Sequence, residues 1–421
     1  MNIKLKNNIK KILGERRIKY VFFILNCSRL SIQRIKKGLI NKKMILHKPI
    51  KKITEISLPN KEIFFGYYDK TPFSYDNNKI LINIANKKYN SKNKPLIIGY
   101  YNVRTKKITK LMQTKTWCWQ QGCRLQWYKN NNSILYNTLI DNQYGSVIQD
   151  INTKKILKKI NYPIYDINKS KKIGISVNFS RLERLRPGYG YSNKKDPTKD
   201  IRAPKNDGVW KINIEKNSKK LLYSLNYLSK IEPKKSMIDA EHYINHVCFN
   251  PSGNRFLFFH LWAKNGRMYS RAFTSDINGK KLFLLTNENF VSHYAWKSNS
   301  ELCIFAYHND KGHKYYLYED LTNKKGVLGE NKLNEDGHPT FFSKNKKMIT
   351  DTYADKQGYQ HLLIYDFKKD RIEKLGKFFM HPVINVDYRC DLHPRINKGG
   401  DIICIDNLKL NKREIYIIYL K

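Results

Sequence analysis

From residue 51 onward the apolar positions fall into short runs separated by clusters of Asn, Asp, Gly and Lys, with little of the three-to-four spacing of a helix. One unit recurs: a short polar-headed strand, a turn, then a β-branched or aromatic strand. It begins at His246-Val-Cys-Phe249 and returns at His293-Tyr-Ala-Trp296, His338-Pro-Thr-Phe341 and His393-Pro-Arg-Ile396. In each copy an aromatic or aliphatic residue follows the histidine by three positions. The histidines are 47, 45 and 55 residues apart, and four strands with their turns need roughly 40–50 residues per propeller blade. Weaker copies start near Lys70, Arg124 and Tyr165. The pattern predicts an all-β, seven-bladed β-propeller.

Most units close on a basic-headed apolar strand, as in Lys106-Lys-Ile-Thr-Lys-Leu111 and Lys219-Lys-Leu-Leu222. The last unit runs out at Ile415-Tyr-Ile-Ile-Tyr-Leu420 without one. Its counterpart stands at the front, where Lys51-Lys-Ile-Thr-Glu-Ile56 closely repeats Lys106–Leu111. An N-terminal strand that completes the seventh blade would close the ring and remove two exposed sheet edges. The chain thus divides into a leader, 1–50, and a propeller, 51–421. The leader has many Lys and Arg but a single acidic residue, Glu15, and its apolar residues have roughly helical spacing. It reads either as a short amphipathic helix for an anionic membrane surface or as a loosely ordered extension.

Aromatic residues make up 13% of the chain and apolar residues 41%, enough for a packed core. The net charge of +45 raises nucleic acid as a partner. However, the excess is mostly scattered Lys, and no helix-turn-helix, zinc-finger or RNA-recognition pattern is present, so a nucleic-acid role is disfavoured. The same field suits an acidic glycan or a membrane surface. The seven cysteines show no C-x-x-C spacing. A reducing, cytoplasmic location follows as the expectation, with peripheral membrane contact through residues 1–48. Secretion is disfavoured, because the run Tyr20–Leu25 is short for an export signal. A monomer is expected.

In a propeller the first strand of each blade lines the channel, so equivalent repeat positions form a ring. Around it stand Lys70, Arg124, His246, His293, His338 and His393. Imidazoles with carboxylates suit manganese or a similar divalent ion. Asp391 lies two residues before His393, on the same face of a strand, and Asp351 follows His338 in the next strand. Each of these residues also has an ordinary reading as a hydrogen-bonded structural group. Trp117-Cys-Trp119-Gln-Gln121 heads the second blade. Trp faces stack on sugars and the Gln121 amide can bond hydroxyls, with core packing as the competing reading. The third blade carries a long insertion after Val177 with Arg181, Arg184 and Arg186 beside Tyr189 and Tyr191. Arginine forks there suit carboxylates.

The repeats, with Phe249-Asn-Pro-Ser-Gly253, His338-Pro-Thr-Phe341 and His393-Pro-Arg395, resemble TolB-like propellers and in particular the oligogalacturonate-lyase group. The similarity covers residues 51–421. It implies cleavage of acidic oligosaccharides by β-elimination, with a histidine base and a manganese site built from His and Gln on inner strands. By repeat position, His246 would be the base, and His293, His338 and His393 the ligands. Where the group has a Gln and a paired His near the last blade, this chain has Arg389-Cys-Asp-Leu-His393, so Asp391 would have to substitute as a ligand. β-Elimination at a uronate needs a cation for the carboxylate, a base for the C5 proton and a donor for the departing O4. Arg186, His246 and Tyr189 are the candidates. Lys70, Trp117, Trp119, Gln121, Arg124, Arg181 and Arg184 are expected to bind the glycan. The alternative is a non-catalytic propeller that binds glycan or protein in surface-polysaccharide assembly.

Overall fold

The computed structural model describes residues 43–86, 94–129, 131–380 and 386–420. The proposed helix of the leader lies outside them. Seven antiparallel sheets follow one another along the chain. Blade one is Lys61–Phe64, Lys79–Asn86, Leu96–Asn102 and Ile108–Thr114; blade two is Gln126–Trp127, Ser133–Ile140, Gln143–Asp150 and Ile156–Ile160. Blade three is Asp166–Ile167, Ile173–Ser176, Gly208–Asn213 and Ser218–Ser224; blade four is Glu241–Phe249, Arg255–Lys264, Arg267–Asp276 and Phe283–Thr286. Blade five is Val291–Trp296, Glu301–His308, Gly312–Glu319 and Lys325–Val327; blade six is Thr340–Phe342, Lys347–Asp351, Tyr359–Asp366 and Arg371–Phe379. Blade seven takes three strands from the C-terminus, Arg395–Ile396, Ile402–Lys409 and Lys412–Leu420, and its outer strand, Ile50–Ile56, from the front of the chain.

Closure therefore occurs by the expected pairing, with Ile53 opposite Ile418 and Ile56 opposite Ile415. A second N-terminal piece, Ile45–Leu46, adds a fifth strand to blade six opposite Lys377 and Gly376. The chain thus ties two blades together before the first blade begins.

The core lies between blades, which explains the continuous apolar runs: each sheet buries both faces against its neighbours. One cluster joins Ile415 and Ile417 of blade seven, Ile63, Ile80 and Ile82 of blade one, and Ile134 and Tyr136 of blade two. Polar bonds fix the angle between adjacent blades. In blades one, two, six and seven the fifth residue of the second strand is Asn83, Asn137, Asp351 or Asp406. Asn137 bonds both backbone groups of Ile164 in the next unit, at 2.9 and 3.0 Å. Asp351 accepts the His393 N–H at 3.1 Å, and Asp406 accepts the Phe65 and Gly66 N–H groups at 3.0 and 3.2 Å. These contacts satisfy backbone groups that the short inner strands leave unpaired.

The third-blade insertion is folded. A short helix, Phe179–Leu185, is capped by Asn178, whose side chain accepts the Arg181 N–H at 2.9 Å. Among the described residues no helix is long and apolar enough to cross a membrane.

Candidate functional site

The inner strands are irregular where the candidate residues lie. Blade four slips register between Asn245 and Cys248, around His246, and blade five between Val291 and Tyr294, around His293. Blade one breaks between Phe64 and Phe73, and the intervening segment carries Tyr67, Tyr68, Asp69 and Lys70. Extra residues in a strand re-aim side chains that a regular strand would send elsewhere. Arg124, His246 and His393 all adopt left-handed backbone conformations, with φ of 55, 56 and 46°. Residues of these types adopt it at a cost, one often met at functional positions.

The four ring histidines converge on Tyr67. Its ring lies 5.2 Å from His246 (stacked), 4.9 Å from His393, 6.0 Å from His338 and 6.4 Å from His293, centroid to centroid. The His338 ring in turn stands 4.0 Å from His293 and 4.3 Å from His393. Three atoms of this cluster are buried without a hydrogen-bond partner: Tyr67 Oη, His246 Nδ1 and His393 Nε2. Burial holds the Tyr67 hydroxyl well above the usual range for a tyrosine.

Each imidazole has a distinct setting. Asp351 accepts both the His338 backbone N–H and its Nδ1, each at 2.7 Å. Burial works against charge on His338, but the Asp351 carboxylate prevails and raises its pKa. His293 Nδ1 meets Asp336 Oδ1 at 2.8 Å; burial still leaves its pKa lowered. Burial, then the charges of His293 and Arg186, hold His246 well below its ordinary value, so it is neutral at pH 7. His393 is lowered for the same reason, with His338 and Arg395 adding to it. His246 is also seated by neighbours from three blades. The Tyr165 hydroxyl donates to Asn245 Oδ1 at 3.0 Å and accepts the His246 N–H at 3.1 Å, while Gln121 Nε2 donates to that hydroxyl at 2.8 Å.

Ligand atoms of His338, Asp391 and His393 lie within 4.8 Å of one another, the only such triad found among the described residues. His338 Nδ1 is taken by Asp351, so its ligand atom would be Nε2, and the unpartnered Nε2 of His393 is the second. Carboxylate behind imidazole is the usual support of a metal-binding histidine. Asp391 is held by the Arg389 guanidinium through Nε at 3.0 and 3.1 Å and Nη2 at 2.8 Å. Burial opposes its charge, yet Arg389 and then His338 keep its pKa low. It thus stays an anion with lone pairs to spare, and the donor set suits manganese. His293 lies against the triad without belonging to it.

Beside the histidines stand two arginine–tyrosine pairs, Arg186 over Tyr189 at 5.2 Å and Arg389 over Tyr353 at 5.3 Å. Tyr189 meets the His246 ring edge-on at 5.9 Å. The insertion therefore places Tyr189 against His246, with Arg186 over Tyr189.

Other expected glycan contacts are engaged within the fold. Arg124 forks onto Asp69 at 3.2 and 2.6 Å and lies 4.0 Å from the Tyr165 ring, while Lys70 pairs with Asp166 at 2.7 Å and Asp69 at 3.3 Å. These two cations are neutralised by buried carboxylates. Trp117 and Trp119 are 5% and 4% exposed, packed against each other and Phe64, with Trp117 Nε1 donating to the Lys94 carbonyl. They form the core between blades and offer no face to a sugar. Gln121 serves the Tyr165 network. Arg181 donates to the carbonyls of His242, Thr198, Ile201 and Arg202 and so organises the insertion, and Arg184 bonds Asp196 and Glu241. Sequence reasoning missed Tyr67, Tyr353, Asp336 and Arg389. The one available signal for Tyr67 was its place three residues before Lys70, which was already assigned to the ring.

The fold and this cluster define a seven-bladed β-propeller in which histidines of four blades gather around Tyr67. Neither a family model nor a curated protein matches the sequence. Among solved structures the chain is similar to an oligogalacturonate lyase in complex with manganese, with a TM-score of 0.66 and 12% identity over 90% of this chain and 96% of that one. It is similar to the oligogalacturonate lyase of Vibrio parahaemolyticus, with a TM-score of 0.63 and 14% identity over the same shares. A tricorn protease gives 0.50 at 10% identity, over 86% of this chain and 34% of that one. At these identities the likeness is one of fold, and propellers host many activities.

Proposed function

We propose that this protein cleaves a uronate-containing oligosaccharide by β-elimination at the histidine ring, as the two lyases of the same fold suggest. The observation that carries the reading is the convergence, around Tyr67, of two imidazole nitrogens and a hydroxyl that are buried without partners. Groups buried unsatisfied destabilise a fold by about 1–3 kcal/mol each, so a set of them in one place suits a ligand. Arg186, over Tyr189 beside His246, supplies charge for the uronate carboxylate. His246 is neutral, the form that can take the C5 proton. Manganese held by His338, Asp391 and His393 would supply Lewis-acid neutralisation of the carboxylate.

The test is a continuous ultraviolet assay for the unsaturated product, run on oligomers of several uronic acids. Wild type should produce it. His246→Ala should lower the rate by about 10²- to 10⁴-fold, the range of general-base catalysis, with unchanged thermal stability. Manganese binding, followed by calorimetry, should weaken in His393→Ala and be retained in His246→Ala. Binding of an acidic glycan without product would replace this reading with a lectin-like one; neither product nor binding would refute both.

A further inference from the structure

Elimination leaves an alkoxide on the departing sugar unless O4 receives a proton, and the reading above leaves that donor open. Several tyrosines stand near the histidines. Tyr68 is committed, since its hydroxyl donates to the Tyr294 carbonyl and accepts the Tyr294 N–H, both at 2.8 Å. Tyr353 is 36% exposed and covered by Arg389. Tyr189 lies under Arg186 and reaches one histidine, His246. Tyr294 has an unpartnered hydroxyl, but of the ring histidines it meets only His246, at 5.7 Å. Tyr67 alone borders all four histidines with an unpartnered hydroxyl, and it is 2% exposed.

The chain also holds Tyr67 in place. The preceding Gly66 is pinned by Asp406, which accepts its N–H at 3.2 Å, and by Arg395, which donates to its carbonyl at 2.8 Å. Its φ is +120°, and a Cβ there would stand 3.0 Å from the Gln121 carbonyl carbon. Blade seven and blade two thus fix the break in blade one that brings Tyr67 into the ring.

We infer that Tyr67 is a catalytic residue that donates its hydroxyl proton to the glycosidic oxygen as it leaves; the inference rests on the lyase reading. A ring histidine takes the C5 proton and the C5–H electron pair becomes the C4=C5 bond. The C4–O4 bond breaks, and O4 takes the Tyr67 proton and departs as an alcohol. The imidazolium then releases its proton to solvent and the phenolate regains one from it, which restores both residues. No oxidant or further reactant is needed.

Tyr67→Phe keeps the ring and deletes the hydroxyl. Because that hydroxyl is buried without a partner, the variant should fold and melt at or above the wild-type temperature. On the natural glycosidic substrate it should lose about 10²- to 10⁴-fold in kcat/KM, the range for a general acid. A 4-deoxy-4-fluoro uronide expels fluoride, which leaves without protonation; on it the variant should stay within about tenfold of wild type, measured by fluoride release. Tyr294→Phe should retain its rate on both. A Tyr67→Phe enzyme as fast as wild type on the natural substrate would overturn the assignment. Equal losses on both leaving groups would also overturn it, because the hydroxyl would then act before bond cleavage. Should wild type release neither unsaturated sugar nor fluoride, the lyase reading itself falls, a result distinguishable from either.

Discussion

Replacing Asp69 by Asn tests whether the charges on the blade-one to blade-three side of the ring hold the fold together. Asp69 accepts both ends of the Arg124 fork and lies 3.3 Å from Lys70, which bonds Asp166. Both Asp69 and Arg124 side chains are 1% exposed. Burial alone would raise the Asp69 pKa, but Arg124 and then Lys70 bring it from 3.8 to about 2. At 1.36 kcal/mol per unit, that shift amounts to about 2 kcal/mol of stability. Because the folded value is the depressed one, this contribution is complete above about pH 4 and disappears as pH falls through about 2. Asp69→Asn also strands the Arg124 charge in the interior, and breaking a buried pair from one side costs about 3–5 kcal/mol. Denaturant unfolding at pH 7 should show a loss in that range. The gap between wild type and variant should narrow as pH is lowered from 4 to 2. Adding Arg124→Met should restore part of the loss, since no lone charge then remains. A variant within about 1 kcal/mol of wild type at pH 7, or a gap unchanged at low pH, would refute the argument and return Arg124 and Lys70 to the list of available cations.

Removal of residues 1–48 should leave a folded, cooperatively melting protein, because Ile50–Ile56 still closes blade seven; removal of 1–58 exposes the Lys412–Leu420 edge and should give aggregated material in size-exclusion chromatography. The basic leader is expected to anchor the chain to anionic vesicles in a cosedimentation assay. Salt should release it, since screening sets in over about 10 Å at 0.1 M, and retention unaffected by removing residues 1–48 would assign the attraction to the propeller.

The fold was legible because a propeller writes itself as repetition. The His-x-x-aromatic heads gave the period, and the likeness of Lys51–Ile56 to Lys106–Leu111 gave the closure, since equivalent outer strands meet equivalent environments. A second periodic signal went unread: Asn83, Asn137, Asp351 and Asp406 occupy one register and tie blade to blade. The strand Ile45–Leu46 was not legible, for so short a piece carries no period of its own, and it was counted with the leader.

The site was legible in part, and the division has a physical cause. Histidines were recognised because four occupied the same repeat position. The cations Lys70 and Arg124 occupied that position too, but position says nothing about neutralisation. Asp69 follows Tyr68 inside a broken strand, and Asp166 comes from another blade, so neither pairing has a sequence spacing to betray it. Tyr67 was hidden by the same break, which shifts blade one out of the period used to align the others. In the folded chain these misreadings become informative. On one side of the ring every charge is matched, as expected for structure. Around Tyr67, His246 Nδ1, His393 Nε2 and Tyr67 Oη are buried with their hydrogen-bonding capacity unused. On the proposed reading, a substrate or ion supplies those missing partners.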